Sequence, residues 1–166
     1  MRVLKDALLK AYESHAEAIY RHCYFRVFRK ELAEELMQET FMKTWSYLAD
    51  GKEIDNIRAF LYKVATNLII DESRKRKEES LDALLEAKPA LEPASSDHLR
   101  AERELALKEV LATFGQVNEE TREILTLRYV DDLDPKDISE ILGITANHVS
   151  VKVNRALEEV KKVLEL

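Results

Sequence analysis

The stretch "ITANHVSVKVNRALEEV", Ile144 to Val160, carries two competing periods. Val149, Val151 and Val153 alternate with polar residues, as in a half-buried strand. Val149, Val153, Leu157, Val160 and Val163 recur at steps of four, four, three and three, as on one face of a helix. A strand needs a partner strand or a hairpin turn, and the neighbouring sequence offers neither. The helical reading prevails. With about 100° between successive residues, it buries Val149, Val153 and Leu157 together and turns Val151 nearly opposite them. Thr145 caps this helix, and Asn147, His148, Ser150, Val151, Lys152, Asn154 and Arg155 occupy its exposed side.

A shorter helix is predicted immediately before it, in "DPKDISEILG". Asp134 fits the N-cap and Pro135 the first helical position, where its missing N–H costs nothing. Ile138, Ile141 and Leu142 make one apolar side. Gly143 fits a tight turn that calls for positive φ, and Ile144 plugs the angle between the helices. The pair reads as a helix-turn-helix whose second helix enters a DNA major groove. Arg155 and Lys152 can bond phosphates or guanine edges, Asn154 or Asn147 can bridge adenine, and Val151 can touch a thymine methyl. The plainer alternative is an amphipathic helical hairpin with a solvated polar face. A helix-turn-helix alone does not name a function.

The rest of the chain reads as helix too. Of 166 residues, 35% are charged and only three are Gly and three Pro, which favours an all-α fold. One helix is predicted over residues 3–28, with a bend near Ser14, and a second from about Lys30 to Leu48, stopped by Gly51. A third starts near Asp55, whose carboxylate is placed to cap the amide of Arg58. Phe60, Leu61, Val64, Leu68 and Ile69 form its apolar stripe, and Arg74, Lys75, Arg76 and Lys77 its basic end. "EAKPALEPASSDHL" holds two of the three prolines and no clear period, so it reads as a linker. Four helices follow: Asp97–Phe114, one capped by Asn118, and the helix-turn-helix pair.

The expected architecture is therefore two small helical domains joined by a flexible linker, the second containing the helix-turn-helix. The boundaries are 1–79, 80–97 and 98–166. The net charge of −6 argues against general coating of nucleic acid and leaves DNA contact to particular faces. Residues 1–80 are nearly balanced, with 15 Lys and Arg against 14 Asp and Glu, whereas residues 81–166 carry 11 against 18. The single cysteine, Cys23, permits no internal disulfide and suits a reducing compartment. The N-terminus lacks a signal-peptide pattern, and no apolar run approaches the roughly 18 residues of a membrane span. A cytoplasmic protein with no membrane insertion is expected.

Enzyme chemistry finds no support in the motifs. His15 and His22 share a helix face with Ala18 and Ile19, which are neither ligands nor bases. No metal-ligand spacing, Gly-rich phosphate loop or nucleophile setting occurs, so no catalytic residue, metal or cofactor is expected. His15, His22, His98 and His148 read as surface, packing or DNA-facing residues, and Cys23 as packing.

Three segments in order narrow the function: "AEELMQETFMKTW" (33–45), "IRAFLYKVATNLIIDESRKRK" (57–77) and "ETREILTLRYVDDLDPKDISEILGITANHVSVKVNRALEEVKK". Together the chain resembles a bacterial RNA polymerase sigma factor of the extracytoplasmic-function group. The resemblance implies a promoter-melting domain, a linker threading near the RNA path, and a domain for the minus-thirty-five element. It places Glu35, Leu36, Gln38, Glu39, Phe41 and Trp45 against core RNA polymerase. It places Arg58, Tyr62, Lys63, Asn67, Arg74, Lys75 and Arg76 at the minus-ten element, with Tyr62 and Asn67 contacting bases. Thr145, Asn147, His148, Ser150, Val151, Lys152, Asn154 and Arg155 fall at the minus-thirty-five element. The resemblance also implies an anti-sigma partner.

Some positions depart from the family pattern. Phe60 stands for the usual Trp, Thr66 for a frequent basic residue and Ser139 for Ala. Ser150 and Val151 replace a common Lys/Arg-Ser pair, which removes a phosphate contact and predicts weak DNA binding without polymerase. The tether of about 18 residues spans at most about 60 Å, enough to hold two DNA readers apart. The competing reading is a free-standing dimeric helix-turn-helix regulator with an N-terminal helical sensor.

Overall fold

A computed structural model of the chain describes residues 1–79 and 98–165. The predicted tether, 80–97, and its "SLDALL" piece lie outside the described residues, as does the side chain of His98. Among the described residues there are seven α-helices and no strand.

The first domain is three helices: α1 (Arg2–Val27), α2 (Lys30–Ala49) and α3 (Ile57–Glu79). α1 runs as one continuous helix through Ser14. Its end is set by Phe28, whose φ of 55° is left-handed and whose N–H donates to the Tyr24 carbonyl at 2.8 Å. Extended Arg29 then starts α2, so the chain reverses over two residues. Gly51 follows α2 with φ 81°, the positive value its position demands.

At α3 the cap is Asn56, one residue later than expected. Its side-chain oxygen accepts the Ala59 N–H at 3.1 Å. A cap accepts from the amide two or three positions ahead, and starting α3 at Ile57 puts Asn56, rather than Asp55, in that place.

The three helices pack on one another around Ile19, Cys23, Leu36, Leu61, Ala65 and Ile69, all nearly or fully out of water. Each fully buried large aliphatic side chain contributes about 1.5–3 kcal/mol. Two threonines in the α2 interior keep their hydroxyls satisfied by bonding back along the helix. Thr40 donates to the Leu36 carbonyl at 2.7 Å and Thr44 to that of Thr40 at 2.8 Å.

The second domain comprises α4 (His98–Gln116), α5 (Glu119–Leu125), α6 (Pro135–Leu142) and α7 (Ala146–Val163). Asn118, Asp134 and Thr145 cap the last three as expected, accepting from Thr121, Asp137 and His148 at 2.8, 2.8 and 3.1 Å. Gly143 turns between α6 and α7 at φ 68°. Val149 is fully buried while Val151 is 38% exposed, which settles the two periods in favour of the helix.

Directly after α5 the chain widens into one π-helical turn, Thr126–Val130. The Asp131 N–H reaches back to the Thr126 carbonyl at 2.9 Å, and Asp132 then adopts φ 52°. This turn packs on α1, and α6 packs on α3, so the two domains share one apolar cluster.

Candidate nucleic-acid interface

The exposed arc of α7 contains Asn147, Ser150, Val151, Asn154 and Arg155, with Val151 near its middle. Thr145 and His148 stand at its start, both exposed. Ser150 directs its hydroxyl to the Ala146 carbonyl at 3.3 Å. Lys152 is turned toward α5, where its ammonium meets the Glu120 carboxylate. His148, Lys152 and Arg155 therefore border a cavity of about 270 Å³ shared with Glu120, Thr121 and Glu159. The arc offers amides, a guanidinium and one apolar contact in a row, a set suited to base edges and phosphates.

On α3 the residues expected at the minus-ten element divide between two faces. Lys63, Asn67 and Arg74 are exposed at steps of four and seven, so they line up on one side, with exposed Lys75 beside them. Arg58 and Tyr62 instead face the second domain. Arg58 Nη2 donates to the Asp131 carbonyl at 2.8 Å, and Tyr62 is only 2% exposed. Burial, reinforced by the Asp131 carboxylate, pushes the Tyr62 phenol up to about 12. Arg76 is half-buried with its Nε 3.6 Å from Glu72.

On α2, Glu35, Gln38 and Glu39 are exposed, whereas Leu36 and Phe41 are 4% and 5% exposed and belong to the domain core. Phe41 meets the Tyr12 ring edge-on at 4.9 Å. Trp45 is half-buried and, with Phe41, Leu8, Leu9 and Tyr12, lines an apolar groove between α1 and α2.

One pair of residues in the same region escaped sequence reasoning. His22 Nδ1 lies 2.5 Å from Asp131 Oδ2, and both side chains are fully buried. The available signal was a histidine within an apolar stripe, since a buried imidazole needs a polar partner. Nothing local identified that partner.

Two family models match this chain, Sigma-70 region 2 over residues 11–79 and Sigma-70, region 4 over residues 107–160. In the chain's own order these are the helices of the first domain and the helix-turn-helix domain. The chain belongs to the extracytoplasmic-function sigma factors. Such a sigma factor directs promoter-specific transcription initiation by RNA polymerase.

Similar proteins along the full length agree. The sigma factor SigW of Bacillus subtilis is 29% identical over 169 residues, which cover 96% of this chain and 90% of SigW. SigM of the same organism is 29% identical over 153 residues, with 90% of each chain covered. Two solved structures share the fold. RpoE of Bartonella quintana, in complex with the anti-sigma factor NepR, has a TM-score of 0.77 at 22% identity, with 95% of this chain and 96% of RpoE covered. CnrH, in complex with the cytosolic domain of CnrY, has a TM-score of 0.72 at 20% identity, with 97% and 89% covered. Among the described residues of this sigma factor, no helix is long and apolar enough to cross a membrane.

Proposed function

We propose that residues 1–79 bind core RNA polymerase and open the minus-ten element, that 98–166 read the minus-thirty-five element, and that 80–97 tether them. In this reading Lys63, Asn67, Arg74 and Lys75 follow the separated strand. Arg58 and Tyr62 join them once the second domain moves away, and Arg76 once it parts from Glu72. Tyr62 supplies the aromatic face and Asn67 the hydrogen bonds on which an unpaired base is held. Thr145, Asn147, His148, Ser150, Val151, Lys152, Asn154 and Arg155 serve the duplex element. Glu35, Gln38, Glu39 and the edge of Trp45 meet polymerase, while Leu36 and Phe41 hold α2 in register for that contact. The sigma factor acts by positioning and melting DNA, with no catalytic step of its own, and works in the cytoplasm.

An anti-sigma partner fits the same surfaces. Support comes from the similar sigma factor RpoE, which was solved in complex with the anti-sigma factor NepR.

The observation that carries this reading is the outward row Lys63, Asn67 and Arg74 on α3, upstream of a capped and turned helix-turn-helix. The test is gel filtration of the chain with core polymerase, followed by binding to promoter DNA. Co-elution and a promoter complex that depends on both components are expected. No co-elution, with the chain alone shifting palindromic duplex DNA, overturns it in favour of a free-standing regulator.

A further inference from the structure

We propose that Glu120 of α5 sets how strongly, and not where, α7 holds duplex DNA, by competing with a backbone phosphate for Lys152. The inference rests on the reading of α7 as the helix that meets the duplex.

The polar side of α7 is two rows of different charge. Asn147, Val151 and Asn154, with Ser150 beside them, form an outward row of uncharged side chains. His148, Lys152 and Arg155 follow at steps of four and three on the flank toward α5, and Glu159 continues that flank. The cations in the first three turns of α7 therefore stand beside the outward row. From that position they reach the phosphate backbone, while the outward row faces base edges.

Two carboxylates border the same flank, Glu120 and Glu159, and they are used differently. Glu159 is bound to the start of α5. It accepts the Asn118 N–H and the Asn118 side-chain amide, both at 3.0 Å, and the Thr121 hydroxyl. Glu120 instead meets the Lys152 ammonium. The Lys152 side chain is only 21% exposed and lies folded toward α5, whereas that of Glu120 is 69% exposed. The lysine is thus drawn away from the surface that DNA would approach.

An ion pair this open to water is weak, so a phosphate can displace the carboxylate at a cost of about twofold to fivefold in affinity. Phosphates repeat along any duplex, so the cost falls on all sequences alike. Choice among sequences stays with the outward row.

The test is a double-mutant cycle on the full chain: wild type, Glu120→Gln, Lys152→Ala and the double variant. Fluorescence anisotropy across a salt series reads binding to a random-sequence duplex, and sequencing of the bound fraction of a random duplex pool reads preference. Glu120→Gln should raise duplex affinity about twofold to fivefold at low salt and steepen the salt dependence by about one unit, with the bound sequences unchanged. Both effects should vanish when Lys152→Ala is also present. A gain that persists without Lys152 overturns the proposal. Such a gain would come from lost repulsion between Glu120 and DNA, or from Arg74 and Lys77 across the neighbouring cleft. A shifted preference in Glu120→Gln overturns it too, because Lys152 then reads bases. Lys152→Ala alone is an arm that stands even if Glu120→Gln fails to fold. It should leave the wild-type salt dependence nearly unchanged, and a loss of about one unit overturns the proposal. Asn154→Ala separates the two readings. If the cycle holds while Asn154→Ala leaves the bound sequences unchanged, the competition for Lys152 stands and the assignment of Asn154 to base contact fails.

Discussion

His22 and Asp131 are 109 residues apart in the chain, yet Nδ1 of one lies 2.5 Å from Oδ2 of the other with both side chains out of water. Removing one partner of such a buried pair commonly costs about 3–5 kcal/mol, because the other is left unpaired in a low-dielectric site. Here the cost has an outlet, since parting the domains returns the orphan to water. His22→Ala should therefore weaken the coupling between domains more than it unfolds helices. Calorimetry should show one transition in wild type and two in the variant, with helicity unchanged by circular dichroism.

Cys23 is fully buried in the first domain's core. Burial first, and the Asp131 carboxylate second, push its thiol up to about 12 against the opposing effect of Arg26. At pH 8 only roughly one molecule in ten thousand then carries the reactive thiolate. A thiol reagent should modify the native protein about a thousandfold more slowly than the protein in guanidinium, where the ordinary value returns.

Tyr62 gives a pH window for the closed form. Its phenol is raised to about 12 from an ordinary value of 10.0. A group whose folded value is raised stabilises fully below its unfolded value and loses that contribution as pH climbs through the folded one. Closure should thus hold below about pH 10 and weaken toward pH 12. Absorbance titration of wild type against Tyr62→Phe reads the late-titrating phenol. The Asp131→Ala variant should bring it back toward 10.

Glu159 joins α7 to the start of α5. Its carboxylate takes the Thr121 hydroxyl and accepts the Asn118 N–H at 3.0 Å, and these bonds, Thr121 foremost, lower its pKa. A depressed carboxylate stabilises above its unfolded value and loses that contribution as pH falls through the folded one. Glu159→Gln should destabilise by about 0.5–1 kcal/mol at neutral pH, less in high salt, and the difference from wild type should shrink in acid. Urea midpoints at several pH values measure this.

What the sequence disclosed, and what it withheld, follows from the range of each interaction. The capping groups of α5, α6 and α7 act over three residues, and Gly143 acts at one, so all were legible. The burial of Val149 against the exposure of Val151 followed from helical period alone. Asn56 and Asp55 both qualify as caps, and only the packed position of α3 chooses between them. Leu36 and Phe41 show the same limit, because a motif position does not reveal whether a side chain faces a partner or its own core. The seam between domains was beyond reach. It joins side chains across a tether whose sequence constrains neither orientation nor contact.

Val151 is 38% exposed at the middle of the α7 arc, beside the exposed and uncharged Ser150. Val151→Arg should add about one phosphate or guanine contact, steepening the salt dependence of duplex binding by about one unit. Duplex affinity measured across a salt series checks it.

The most direct measurement of the central claim is transcription by core polymerase from a random promoter library, with wild type, Asn67→Ala and Val151→Arg each as the sigma factor. Two sequence elements at a fixed separation should emerge with wild type. Asn67→Ala should alter selection only at the element nearer the start site, and Val151→Arg only at the farther one. If both variants select the same promoters as wild type, α3 and α7 are not the two readers and the account is contradicted.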